Sequence, residues 1–412
     1  MANTIITPAM FTKMTLMNLG GYLNMCANMS HDYTSQFGNK AMKIGDTLSV
    51  RRPQRFLVTD GMGYQPQPIT NTQVPITVNQ VKGVHFQWDE VERTLSLTEI
   101  NELYSKPAAL ALASTINNLA ATYVAQNTFN LVGTPGTTPT SMLTYLSAAD
   151  KIIAMGLPEG EMLSAIISRK MSSTYANAVS TLYNPGGTIG GQYKNGYIDT
   201  NALGYQWKFD QTLWRQTYGT YAGTPLINGA NQTAEGGNNA TMTLVTDGWS
   251  SGASTLNQGD VFTIAGVYAV HPQTRQSIGD LQQFVVTATI SDTTGNMSPV
   301  IFPAITPSGQ YQNVSAAAAD NAAITVAGTS GVVSEQGIVM HKNAFAFLSV
   351  PMQGPSANGV EEVAQEQDPE TGLNLMFTRY WDGDTLTHKN RFDTLFGFGR
   401  LYAEMACRVA SA

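Results

Sequence analysis

The sequence predicts an α+β subunit built around one long helix, with a separate all-β domain inserted into its second half. Three observations predict it. Residues 107–130 carry apolar side chains at helical spacing and no charge. On either side, short strand patterns alternate with shorter helical ones, which is how a mixed α+β domain reads. From residue 222 to 335 the composition turns to Thr, Val, Gly and Asn in short strand-like stretches, and the charge balance shifts with it.

Taken in order, residues 5–29 form a Met-rich, partly helical arm with Met10, Met14, Leu16 and Met17 on it. Methionine makes an adaptable apolar surface. Two readings stay open for the arm, a helix in the subunit's own core or one laid on a neighbour. Two strand patterns follow, over 47–58 and 74–97, joined by a turn-rich tip at 60–68. They predict an extended hairpin, and a lone hairpin is marginal in water, so it needs a surface to lie on.

The long helix enters through residues 98–102 and opens at Pro107, whose missing N–H suits a first turn. Leu112, Ile116, Leu119, Ala120, Tyr123 and Asn127 make its stripe, and Gly133 and Pro135 stop it. No charged residue occurs from 107 through 149. A solvated helix normally places Lys, Glu or Arg outward. This one shows Ser114, Asn117, Asn118, Thr122 and Gln126 instead. It is either a buried core helix or a helix covered partly by neighbouring subunits.

Next come a helix at 144–155, a buried strand at 164–168, a helix at 172–182 and a strand at 205–209. Within 222–335 Arg275 is the one basic residue against seven acids, so this segment carries −6 of the chain's −7. It reads as a small inserted barrel or sandwich. Residues 338–347 then predict strand followed by helix, 368–372 a turn, and 373–380, 391–398 and 402–408 closing strands.

The 412 residues are 12% charged, against about a quarter in average soluble domains. Interface cores are where charge is depleted, so large self-assembly is expected. No uncharged apolar stretch approaches the ~20 residues a bilayer needs, and no membrane is expected. The N-terminus shows no basic n-region, which predicts synthesis in the cytoplasm without a signal peptide. Cys26 and Cys407 make no paired or metal-binding pattern and are expected as small buried hydrophobes.

Chemistry is sparse. His31, His85, His271, His341 and His388 are scattered without metal-ligand spacing. No phosphate-binding loop is present, and Gly61-Met62-Gly63 lacks the third glycine of a nucleotide fingerprint. Asp382-Gly383-Asp384 reads as a tight turn rather than a cation site. Acidic stretches at 361–362 and 366–368 read as solvated loop. No catalytic residue, cofactor or metal is expected. The one concentrated basic feature is Arg51-Arg52 with Arg55. On a projecting hairpin its expected role is pairing with acids of a neighbouring subunit. An acidic chain lacks the basic face that phosphate binding requires.

Three parts of the chain carry a resemblance. Gly259-Asp260-Val261-Phe262-Thr263-Ile264-Ala265-Gly266-Val267, with Leu281-Gln282-Gln283-Phe284-Val285-Val286, resembles the inserted-domain signature of the coat proteins of the Salmonella phage P twenty-two group. Leu182-Tyr183-Asn184 to Gly196-Tyr197-Ile198, then Leu203-Gly204-Tyr205, is similar to the segment before that insertion. Arg391-Phe392-Asp393-Thr394-Leu395-Phe396-Gly397 and Ala406-Cys407-Arg408-Val409 resemble the family's C-terminal strands. The order of elements matches over essentially the whole chain.

The resemblance implies the Hong Kong ninety-seven-type phage capsid fold with an inserted I-domain. It names 1–44 the N-arm and start of the P-domain, 45–97 the E-loop, and 98–137 the P-domain spine helix. Residues 138–221 become the first part of the A-domain and 222–335 the I-domain. Residues 336–412 become the A-domain return and the C-terminal P-domain strands. The implied function is a non-enzymatic major capsid protein, self-assembling into an icosahedral shell of hexamers and pentamers around the DNA of a tailed phage. The implied partners are itself, scaffolding protein, portal and packaged DNA held without sequence-specific binding, and the implied location is the virion after assembly in the host cytoplasm. The expected intersubunit contacts are Arg51, Arg52, Arg55, Met62, Tyr64, Asn118 and Thr122. The alternatives are an encapsulin-like nanocompartment shell and, in another class, an extracellular β-rich fibre or adhesin.

Overall fold

A computed structural model describes residues 8–32, 45, 47–52, 55, 56, 58, 61, 63, 64, 66, 67, 73–88, 101–158, 160–178, 201–352, 362–383 and 387–412. The predicted segments at 89–97 and 179–200 and most of the hairpin tip lie outside the described residues. The chain divides into two compact units: 1–50, 74–120 and 345–400 form one; 51–73, 121–344 and 401–412 form the other.

The first unit is built on an antiparallel sheet. Its strands lie in the order Phe345–Val350, Thr387–Arg400, Asn374–Asp382, Glu362–Gln367, and Gln80–Trp88 also pairs with the long strand Thr387–Arg400. Thr47–Arg51 and Gln73–Thr77 pair as a two-stranded sheet. Gly397 is required where these pieces meet, because a Cβ there would stand 2.3 Å from the Thr77 carbonyl oxygen.

The helix Pro8–Gly20 buries Phe11, Thr12, Thr15, Leu16 and Leu19 on one stripe. Phe11 packs its ring 5.4 Å from Phe377 and 5.3 Å from Phe392. Thr15 Oγ1 lies 2.8 Å from Ser105 Oγ. This face therefore belongs to the subunit's own core, while Met10 and Met17 are exposed on the other.

The long helix spans Lys106–Asn127, preceded by one π-helical turn at Asn101–Ser105. It starts one residue before the expected position and ends three before it, giving way to the short strand Leu131–Val132. Its buried face holds Ala109, Leu112, Ala113, Ile116, Asn117, Ala120, Ala121 and Val124. The expected stripe is rotated, because alanines allow close approach and take the buried positions that Leu119, Tyr123 and Asn127 were expected to fill. Buried Asn117 is satisfied by accepting the Met25 N–H at 2.9 Å. By length and composition the stretch Glu102–Asn127 is apolar enough to cross a bilayer, contrary to the sequence expectation, yet more than half of that window is buried in the protein.

The helix expected after residue 340 is absent. Lys342–Ala344 forms one 3-10 turn, and Phe345–Val350 is a strand buried throughout. A short apolar stretch buried on both faces carries no period to separate strand from helix.

The second unit holds a mixed sheet in the order Leu131–Val132, Ala406–Ala410, Val333–Met340, Leu163–Ile167, Tyr205–Phe209, Asn201–Ala202, with Arg215–Thr217 pairing the start of Val333–Met340. The helix Met142–Ala154, capped by Ser141 Oγ on the Leu143 N–H, buries Tyr145, Ala148 and Ile152. These pack with Trp207, Val339, Cys407 and Val409 in one core. Burial pushes the Cys407 thiol up to about 12, so it acts as a small hydrophobe. Cys26 is likewise a buried thiol.

Residues 223–326 enclose a core of their own, with Ile227, Phe262, Ile264, Phe284, Val286, Ile301 and Val326 in it. Its main sheet is antiparallel, in the order Met242–Thr243, Val300–Phe302, Ser277–Val286, Val261–Val270, Ile324–Val326. Two small ribbons complete it, Gly223–Ile227 with Thr246–Trp249 and Thr255–Leu256 with Ile290–Ser291.

Candidate assembly surfaces

The three arginines follow directly from the strand Thr47–Arg51. Arg51 is exposed. Arg52 is buried, with its guanidinium 4.9 Å over the Tyr402 ring. Burial pushes its pKa down, while Glu404 and Tyr402 pull the other way. Arg55 Nη2 lies 3.0 Å from Glu404 Oε1, with side-chain exposures of 27% and 2%. Gln310 Nε2 donates to the Arg55 carbonyl, and Arg275 Nη2 donates to the Gln310 carbonyl at 3.2 Å. The sequence reading sought acids on a neighbour; the acid beside Arg55 here is its own chain's Glu404. That residue lies 349 positions away, and no local signal pointed to it.

The same stretch presents Phe56, Val58 and Tyr64, which are 63%, 94% and 91% exposed. Exposed large apolar side chains gathered on one segment mark an interaction surface. Met62 lies outside the described residues. Asn118 is exposed and Thr122 half-buried, four residues apart on the long helix.

A second set of contacts fastens the inserted domain to the mixed sheet. Buried Arg408 donates from Nη1 to the Gly259 carbonyl at 2.9 Å. Asp260 accepts from the Gly219 N–H at 2.9 Å, the Asn257 N–H at 2.8 Å and Gln216 Nε2 at 3.0 Å. Burial raises its pKa, and these three donors and Arg408 oppose the rise. Gln283 Oε1 accepts from the Leu131 N–H at 2.8 Å and from Lys151 Nζ at 3.0 Å. A cleft of about 530 Å³ beside them is lined in part by Asp150, Lys151, Met155, Asp280 and Leu281. None of the expected site residues lies in this joint, whose partners are far apart in sequence.

Among the described residues no group of His, Cys, Asp and Glu is placed to hold a metal. No G-x-S-x-G spacing is expected from the sequence reading, yet Gly248-Trp249-Ser250-Ser251-Gly252 has that spacing of a nucleophile elbow. That motif needs a strand-to-helix turn. Here it ends the strand Thr246–Trp249 and runs through a turn into the strand Thr255–Leu256.

Among solved structures, the chain is similar to one of Mycobacterium phage Che8, 13% identical over 94% of this chain and 90% of that one, with a TM-score of 0.44. It is similar to the capsid structure of the cyanophage P-SCSP1u, 12% identical over 91% of this chain and 85% of that one, at 0.42. The CUS-3 coat protein I-domain is 31% identical over 27% of this chain and 96% of that one, at 0.17. No curated protein matches the chain. The family model described as P22 coat protein, gene protein 5, matches residues 24–408. That match takes in the long helix, both units and the inserted β-domain alike, and the chain therefore belongs to the P22 coat protein family, the major capsid proteins that form the phage head shell.

Proposed function

We propose that this subunit builds an icosahedral shell of hexamers and pentamers, and that the hairpin over 45–97 is its main intersubunit limb. The observation that carries this reading is the exposure of Phe56, Val58 and Tyr64 next to three arginines on a charge-poor chain. In a closed lattice many modest contacts sum, so an apolar side chain beside a cation gives both burial and orientation. Arg51, Met62 and Tyr64 meet one neighbour, Arg52 and Arg55 hold the root of the limb on their own chain's Tyr402 and Glu404, and Asn118 and Thr122 meet protein through the uncharged face of the long helix. The role is structural and non-enzymatic. Scaffolding protein and portal act during assembly in the host cytoplasm, and the shell encloses double-stranded DNA without gripping it, since the chain is acidic overall.

The test is charge reversal of Arg51, the most exposed of the three arginines. Arg51→Glu is expected to leave a folded monomer, shown by an unchanged far-UV spectrum, and to cut shell yield severely. Shell yield equal to that of the unaltered protein removes Arg51 from the interface.

A further inference from the structure

A ring of identical subunits sets a condition on any contact that passes from one copy to the next. Such a contact is head-to-tail, so the surface it meets lies elsewhere on the same chain. Arg51 meets this condition with a free cation. It ends the strand Thr47–Arg51, where Thr47, Ser49 and Arg51 form the exposed face. Among the described residues no acid of its own chain pairs with it. A guanidinium carried on a strand is presented in a fixed direction, and its planar donors fit carboxylate oxygens.

The cleft of about 530 Å³ beside Gln283 offers the complement. Asp150 stands on the helix Met142–Ala154 and Asp280 on the strand Ser277–Val286, so its two carboxylates come from different elements. Both residues are exposed, and neither makes an ion pair among the described residues. Lys151 also lines the cleft, but its ammonium is engaged by the Leu131 carbonyl at 3.1 Å and Gln283 Oε1 at 3.0 Å. Two acids and one lysine leave one negative charge in excess, which one guanidinium balances. Met155, Ile278 and Leu281 add apolar wall for an arginine's methylene stem.

We infer that this cleft is the receptor for Arg51 of the adjacent copy, with the guanidinium held by Asp150 and Asp280. The inference rests on Arg51 being an intersubunit contact and adds what that contact meets. It also gives the joint at Gln283 and Leu131 a use in assembly. Asp280 belongs to the inserted domain and Asp150 to the helix beside the mixed sheet, so the receptor forms only where the two are joined.

The experiment is a charge swap read by shell yield, with the full chain and purified scaffolding protein. Arg51→Glu, and separately Asp150→Lys with Asp280→Lys, are each expected to cut yield about tenfold or more, because like charges then face each other. The triple variant restores opposite signs and is expected to return to within about threefold of the unaltered protein. The monomers should keep the unaltered unfolding midpoint throughout. Full yield from Arg51→Glu removes the intersubunit contact and the receptor with it. Loss in Arg51→Glu without recovery in the triple variant overturns the receptor alone and leaves Arg51 at an interface elsewhere. Normal assembly of the lysine pair overturns the receptor as well. Recovery seen in the monomer's unfolding midpoint rather than in shells would place the contact within one chain and overturn it too. If the lysine pair does not fold, Asp150→Asn with Asp280→Asn takes its place. Added to Arg51→Met, it is expected to lower yield no further than Arg51→Met alone, and losses that multiply overturn the receptor.

Discussion

Gln283 closes both backbone hydrogen-bonding groups of Leu131. Its Nε2 donates to the Leu131 carbonyl at 3.0 Å and its Oε1 accepts the Leu131 N–H at 2.8 Å. A side-chain amide from the inserted domain thus stands in for a neighbouring strand at the edge of the mixed sheet. Lys151 Nζ joins the same two oxygens, at 3.1 Å from Leu131 O and 3.0 Å from Gln283 Oε1. The inserted domain is therefore held to the sheet by polar contacts that only a side chain of this length and chemistry completes.

Gln283→Ala is expected to cost about 1–3 kcal/mol in denaturant unfolding, because it leaves the part-buried Leu131 N–H without its acceptor. Gln283→Glu should recover most but not all of this, since a carboxylate accepts from Leu131 N and Lys151, and only its missing donor bond to Leu131 O is left to Lys151 alone. Equal stability of Glu and Gln at this position would show that the donor bond is not used.

Asp292 gives the inserted domain an acid-sensitive turn. Its carboxylate accepts from the Ser254 N–H at 3.0 Å, the Gly252 N–H at 2.7 Å and the Gly295 N–H at 3.0 Å, which holds its pKa below the ordinary 3.8. A group depressed in the folded state binds fewer protons there than when unfolded. Its contribution is fully present above 3.8 and is lost as pH falls through the lower folded value. Asp292→Asn should lower the thermal midpoint at neutral pH and flatten its decline in acid. A parallel decline in both proteins would assign acid sensitivity elsewhere.

The uncharged face of the long helix gives a separate test. Asn118 is exposed and Thr122 half-buried, so a lysine at either changes subunit stability by no more than about 0.5–1 kcal/mol. Shell yield is expected to fall by roughly an order of magnitude, since a buried unpaired charge at an interface is strongly penalised. Loss of folding and assembly in proportion would make this an ordinary core helix.

Much of this was legible because its signals are local. The strand Leu163–Ile167 lies one residue from its expected position, Tyr205–Phe209 coincides with it, and the turn at 368–372 sits between its two strands. The long helix was found from spacing and the absence of charge, but its buried face was set by Ala113, Ala120 and Ala121, which a reading weighted to large apolar residues passes over. The helix expected at the end of 338–347 is the start of the strand Phe345–Val350, because a strand buried on both faces shows no alternation. The Arg55–Glu404 and Gln283–Leu131 contacts join residues 349 and 152 positions apart. Such pairs exist only once the chain has folded, and one sequence carries no trace of them.

Deleting residues 60–71 removes the hairpin tip and leaves the elements on either side. The shortened chain is expected to fold, with an unfolding midpoint within a few degrees of the full chain, and to assemble poorly. Normal shells from it would remove the hairpin's role and leave the family's function untouched.

The most direct measurement is negative-stain microscopy of the full chain co-expressed with scaffolding protein. Closed shells of uniform diameter are the predicted result. Only small monodisperse particles, under every assembly condition tried, would contradict it.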